Sequence, residues 1–295
     1  MKKLFYKFSK KIIPFRFYDR MRLFYYRLRQ VYHNATIASL SEQEFRELLT
    51  DRLNLKRDVD VFIHSSLQFL KFDFPISRAI NIIREIIGDE ATILFPAWHF
   101  AERGEIYLRN ANSVFNVRRS PSMLGMLSEL ARREPGAIRS WHPTSAVVAI
   151  GKHAKEYVEN HHADIYPCGR KSPYYKLVER KAIIIGLGVS TEFLTFVHCV
   201  EDMQEFKFPL KARLEEVFSA KVITPAGEVI TVNTLASSPA ILHRNIPRFI
   251  KKHISKEIAV DIKIKGVPYY SIDAFKLYYE MGKLAEKNIT IYTKV

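Results

Sequence analysis

The hydrophobic positions of this chain change period repeatedly. Short β-branched or aromatic runs at residues 59–63, 91–95, 146–150 and 183–185 predict buried strands. Between them apolar residues return every three or four positions. That spacing predicts helices over 41–53, 76–87, 122–133, from about 151 to 160, and over 173–177. The first of these opens on Ser41-Glu42-Gln43-Glu44, where serine and second glutamate can cap each other's backbone N–H groups. Residues 101–121 have little periodicity and read as a long loop, and long ordered loops in compact domains are often functional. Residues 218–224 and 228–234 flank Pro225-Ala226-Gly227, a hairpin signal. Helices are expected over 241–254 and 271–286, and a closing strand over 289–293. Strands and helices alternate up to residue 205. The expected fold is therefore α/β, a central mixed sheet flanked by helices, with an α+β C-terminal part.

One stretch organises the rest. In residues 182–201 an isoleucine run ends in Gly186 and Gly188. Ser190 or Thr191 can cap the helix after it, which carries Thr195, His198 and Glu201 at three-residue intervals. A histidine beside a carboxylate, at the end of a sheet, suits proton transfer near neutrality. The other reading is a core histidine beside a solvated glutamate.

Composition adds bounds. The 295 residues are 47% hydrophobic and 13% aromatic, enough for one large α/β domain. No apolar run approaches a membrane span, and no secretory signal is evident. Cys168 and Cys199 are too few for a disulfide framework, so a reducing cytoplasm is the default. The histidines are scattered without ligand spacing, so no metal is expected. The net charge of +15 is uneven, for residues 1–34 hold ten Lys and Arg against Asp19 alone. They interleave this charge with nine Phe and Tyr from Phe5 to Tyr26. Residues 1–37 therefore read as a basic, aromatic, helical extension of a domain spanning 38–295. Such a segment suits an anionic membrane surface at the inner face of the cell membrane, or packing on the body or on a second subunit of a homodimer. Nucleic acid is not expected, since no binding module comes after it.

Four segments in order carry a resemblance. They are Val61-Phe-Ile-His-Ser-Ser-Leu67; Phe115-Asn-Val with Pro121-Ser-Met-Leu-Gly125; Arg139-Ser-Trp-His-Pro-Thr-Ser145 with Gly151; and Gly169-Arg-Lys-Ser-Pro173 with Thr195-Phe-Val-His-Cys-Val-Glu201. Together, over residues 38–295, they resemble the aminoglycoside 3-N-acetyltransferases, coenzyme A-dependent enzymes distinct from the GNAT acetyltransferases. The resemblance implies acyl transfer from acetyl-CoA or another acyl-CoA to a small-molecule amine. It makes His198, with Glu201, the catalytic pair that deprotonates the acceptor, because an ammonium has no lone pair with which to attack a thioester. It places His64, Ser65 and Ser66 near the thioester. The loop with Arg139, Ser140 and Ser145 falls near the same cleft, Arg139 meeting either a coenzyme phosphate or a structural salt-bridge partner. His142 is either a substrate-site residue or a support for the loop, and Thr195 and Asn116 complete the expected acceptor contacts.

Two departures bear on the acceptor. The stretch Asn233-Thr-Leu-Ala-Ser-Ser-Pro239 lacks the carboxylate the family carries after its hairpin, and Phe115-Asn116-Val117 stands where the family has Phe-Asp-Pro. Aminoglycosides are polycations, and a basic chain that has lost two acids suits an anionic acceptor better. The expectation is an amino sugar linked to a nucleotide or lipid in surface-glycan synthesis, with an aminoglycoside as the first alternative. A non-catalytic, membrane-peripheral scaffold is the second. Cys199 could serve as an acyl-carrying nucleophile, but its place one residue from His198 turns it about 100° away, towards the core.

Overall fold

The computed structural model describes residues 39–204 and 207–292. The basic extension assigned to residues 1–37, and its membrane or subunit contact, lie outside the described residues. In chain order the first elements are α1 (Glu42–Glu47), β1 (Val61–Ser65), α2 (Ile76–Ile87), β2 (Thr92–Pro96), α3 (Gly104–Arg109) and β3 (Val114–Asn116). Then come α4 (Met126–Arg133), β4 (Ile138–Arg139), β5 (Val147–Gly151), α5 (Ala154–Val158), α6 (Pro173–Glu179), β6 (Ile183–Leu187) and α7 (Val197–Met203). The last are β7 (Arg213–Ile223), β8 (Val229–Ser237), α8 (Ile246–His253), β9 (Ala259–Ile264), β10 (Val267–Asp273) and α9 (Ala274–Glu286).

The expected central mixed sheet is present. Seven strands run in the order β4-β5-β2-β1-β6-β10-β9, with helices on both faces. Strand β1 is parallel to β2 and β6, while the outer pairs are antiparallel. Side chains alternate between faces along each strand, as the two-residue period demands. Val61 and Ile63 of β1 join the core beneath α1, α2 and α4; Phe62 joins the core beneath α6, α7 and α9. Helix α2 shows the helical counterpart: Ala79, Ile80, Ile82, Ile83 and Ile87 are buried on one side, and its end falls at Gly88. Each fully buried isoleucine contributes about 1.5–3 kcal/mol over an exposed one. The capping box at Ser41 forms as read, with both reciprocal hydrogen bonds in place.

Several boundaries differ from the sequence reading. The expected loop 101–121 contains α3, and β3 within it pairs in parallel with β7, making a three-stranded sheet with the β7–β8 hairpin. The helix expected over 241–254 starts only at Ile246, after a short turn Pro239–Leu242 capped by Ser238. The helix expected over 271–286 begins at Ala274, because Ser271, Ile272 and Asp273 finish β10, which pairs with β6. Residues 289–292 form no strand; they run beside Arg244 and Asn245, with a bridge between Arg244 and Tyr292. Thr195 precedes α7 rather than lying on it. Neither Ser190 nor Thr191 caps that helix: Ser190 makes no side-chain cap, and Thr191 donates to Asp261 at 2.9 Å.

Candidate active site

Parallel neighbours β1 and β6 end together, and in open α/β sheets that carboxyl edge is where ligands bind. Gly188 has φ +71° and lies against the Ser66 carbonyl, where a Cβ would come within 2.5 Å of the oxygen. The close approach brings the β1 end, His64-Ser65-Ser66, beside the segment leading from β6 into α7. A cavity of about 880 Å³ opens between them. Its wall includes His64, Ser65, Ser66, Thr195 and His198, so five of the expected site residues meet there.

His198 and Glu201 form the pair their spacing predicts. Nδ1 of His198 lies 2.8 Å from Oε2 of Glu201. The carboxyl is not solvated: Glu201 is 2% exposed, so the reading of a surface glutamate fails. Burial opposes its charge, but His198, the Tyr292 hydroxyl and nearby Arg213 more than offset this and hold the carboxyl below its usual range. With Nδ1–H given to the carboxylate, the imidazole keeps its lone pair on Nε2, the ring edge left for the cavity. Just beyond it on α7, Asp202 grips Arg213 in a fork of 2.6 and 2.8 Å and accepts from the Cys168 N–H at 2.8 Å. That buried pair ties α7 to the start of β7.

His64 is built differently. His64, Gly186 and Tyr270 lie in register across β1, β6 and β10. Gly186 leaves the room that the Tyr270 ring occupies, for a Cβ there would sit 2.1 Å from the ring. The Tyr270 hydroxyl thereby reaches His64 Nδ1 at 2.8 Å, and His64 Nε2 meets Thr195 Oγ1 at 2.9 Å. Burial drives the His64 pKa down to about 3, so the ring is neutral and orients Thr195 through hydrogen bonds alone.

Five expected contacts lie away from the cavity wall. Arg139 is 5% exposed, donates to the carbonyls of Ala97, Ser120 and Val117, and lies over the Phe115 ring; it is neither at a phosphate position nor in a salt bridge. Ser140 accepts from the Val147 N–H and bonds His161, both at 2.9 Å. His142 is fully buried, accepts from the N–H groups of Thr144 and Ser145, and meets Thr234 Oγ1 at 3.1 Å. Ser145 thus supports the loop through its backbone, and Asn116 caps a turn by accepting from the N–H groups of Arg118 and Arg119. Cys199 is fully buried, and burial raises its thiol pKa well above the ordinary value, which speaks against the nucleophile. Tyr270, Tyr292 and Arg244 line the cavity or support its residues and went unseen in the sequence. Among the described residues no group of three His, Cys, Asp or Glu is placed to hold a metal ion, and no helix is long and apolar enough to cross a membrane.

An imidazole–carboxylate pair thus stands at the wall of a large cleft, on the carboxyl edge of the mixed sheet of an α/β protein. A family model described as aminoglycoside 3-N-acetyltransferase matches residues 62–284, and the chain belongs to that family. The Bacillus subtilis (strain 168) SPbeta prophage-derived aminoglycoside N(3')-acetyltransferase-like protein YokD is 28% identical over 165 residues, 50% of this chain and 60% of that protein. The chain spans about half the length of the curated relatives it matches. The crystal structure of aminoglycoside acetyltransferase AAC(3)-Xa superposes with a TM-score of 0.73 at 19% identity, covering 90% of this chain and 99% of that one. AAC-IIIb in binary complex with CoASH gives 0.68 at 19% identity, covering 87% and 100%. At these identities the structures establish the shared fold.

Proposed function

We propose that the protein transfers an acyl group from an acyl-coenzyme A to an amine of an aminoglycoside. The observation that carries this reading is His198, held by Glu201 at 2.8 Å and standing in the wall of the cavity. Nε2 of His198 takes a proton from the acceptor ammonium. That proton passes on to solvent. The freed amine attacks the thioester carbonyl, and the imidazole takes the second proton from the nitrogen as the C–N bond forms. The C–S bond breaks and the departing thiolate is protonated by the imidazolium, so one proton is released for each amide made. Ser65, Ser66 and Thr195 line the same cavity, and in this reading they hydrogen-bond the thioester end of the coenzyme. A cavity of about 880 Å³ suits a pantetheine arm together with an acceptor, being in the range of ordinary ligand sites.

Aminoglycoside acceptors are supported by family membership and by the relatives' names. The surface-glycan reading and its membrane placement rest on charge alone, and none of these relatives' names carries them. The test is thiol release from acetyl-CoA across a panel of aminoglycosides and nucleotide-linked amino sugars, with His198→Ala as control. Turnover with aminoglycosides that the variant loses is the expected result. Turnover confined to nucleotide-linked sugars would replace the acceptor, and silence with every acceptor would overturn acyl transfer.

A further inference from the structure

His198 engages only one oxygen of Glu201. The other, Oε1, is equally buried, and the Tyr292 hydroxyl donates to it. Tyr292 comes from residues 289–292, the last described stretch of the chain, well separated from α7 in sequence. Several contacts fix that stretch. Arg244 bridges to Tyr292, the Asn245 N–H donates to the Ile291 carbonyl at 2.9 Å, Ile291 is 2% exposed in the core, and the Tyr292 ring meets Phe208 edge-on. The family match ends at residue 284, so Tyr292 lies outside the matched residues.

We propose that Tyr292 is a positioning residue for acyl transfer, its hydroxyl holding Glu201 as an oriented anion behind His198. The proposal rests on the acyl-transfer reading. A buried carboxylate with one unpartnered oxygen carries a heavy desolvation cost and relieves it by taking a proton or by rotating. Either would cost His198 its partner at the moment it becomes an imidazolium. A phenol meets the need: it is neutral, it donates a charge-assisted hydrogen bond, and its ring fixes the direction of the O–H. Burial and the neighbouring Glu201 charge keep this phenol protonated, so it remains a donor throughout the cycle. The other ionisable groups around the carboxylate are Asp202 beside it on α7, Arg213 from β7 and the buried Cys168 thiol, with Arg244 near Tyr292 itself. Arg213 is committed to Asp202 in the buried fork, and Tyr292 is the donor to Oε1.

The experiment compares the whole protein with Tyr292→Phe, which keeps the ring, and Tyr292→Leu, which removes it. In Tyr292→Phe, kcat falls about tenfold, the size expected for losing one hydrogen bond to a charged group, while KM for either substrate stays within about twofold. Without the donor, the negative charge on the pair is less dispersed and holds a proton more tightly. The acid limb of the kcat/KM profile therefore moves up by about half to one pH unit, and the NMR titration midpoint of the His198 ring moves the same way. Tyr292→Leu shows the same displacement and also a lower Tm. A Tyr292→Phe enzyme with unchanged kcat, limb and ring titration, whatever its Tm, overturns the proposal. Should the wild type release no thiol with any acceptor, acyl transfer fails by itself, and the ring titration still decides whether the hydroxyl acts on the pair.

Discussion

Two histidine sites among the described residues use imidazole in opposite ways. At the cavity, His198 has a buried carboxylate behind it and open space in front. Behind the small sheet, His142 and His161 stack at 4.5 Å between ring centroids, interplanar angle 20°, with hydroxyls and backbone for partners. Nε2–H of His161 donates to the Pro167 carbonyl, so Nδ1 accepts from Ser140 at 2.9 Å. His142 accepts two backbone N–H groups on Nδ1, so Nε2–H is left to donate to Thr234. Every ring nitrogen of the stack is thereby used, and burial keeps both rings neutral. Partner chemistry, rather than residue type, separates the proposed proton-transfer site from a structural hydrogen-bond hub.

The widest divergence between the clusters is expected from single substitutions. Glu201→Gln keeps shape but removes charge, and should lower kcat/KM by about 10²–10³, as for loss of general-base support. His142→Ala should leave kcat/KM of the folded enzyme within about threefold and lower the unfolding free energy by about 2–4 kcal/mol, since it leaves a fully buried void, the Thr234 hydroxyl and two part-buried N–H groups without their partner. Urea unfolding beside steady-state assays separates the two. Equal loss of activity in both variants would erase the distinction and return the loop at residues 139–145 to the site.

A smaller effect appears with acid. The folded-state pKa of His161 is depressed by burial from 6.5 to about 3. Its neutral form therefore contributes fully above the unfolded value and is lost as pH falls from about 6.5 towards 3, because the unfolded chain binds the proton first. Stability should fall by about 1.4 kcal/mol per pH unit for this group in that window. His161→Gln should remove that share of the slope. An unaltered slope would mean that the stack takes up protons in the folded state.

How much of this was legible in the sequence depends on how local each feature is. His198 and Glu201 are three residues apart, so helix geometry alone brings them together. The capping box and the β7–β8 hairpin are local for the same reason. Tyr270 is 206 residues from His64 and Tyr292 is 91 from Glu201, distances at which spacing carries no signal. Gly186 read as turn punctuation, whereas it lies within β6 and makes room for a ring from β10. The β9–β10 hairpin was legible but passed over: Val260, Ile262 and Ile264 alternate with charged Asp261 and Lys263 at the strand period, while the last residues of β10 fit the period of α9. Arg139 looked like a phosphate ligand by residue type, yet its guanidinium satisfies carbonyls in the interior.

The smallest effect concerns acceptor charge, where the two clusters differ again: the stack needs no net charge, whereas the cavity must match its substrate. The acidic and basic side chains in the cavity wall, histidines aside, are Glu192 and Arg244, 3.7 Å apart at their nearest. Both are partly exposed, so their attraction is weak and screened by salt. Paired, they offer a polycationic acceptor almost no net field. Arg244→Gln leaves Glu192 unopposed. If the acceptor is an aminoglycoside, kcat/KM should rise about two- to fivefold at low ionic strength, and the gain should vanish at high salt. If the acceptor carries phosphate, the same substitution lowers kcat/KM by a similar factor. The sign of this change, read beside an unaltered acid limb that leaves the His198–Glu201 pair out of account, tells which charge the cavity evolved to meet.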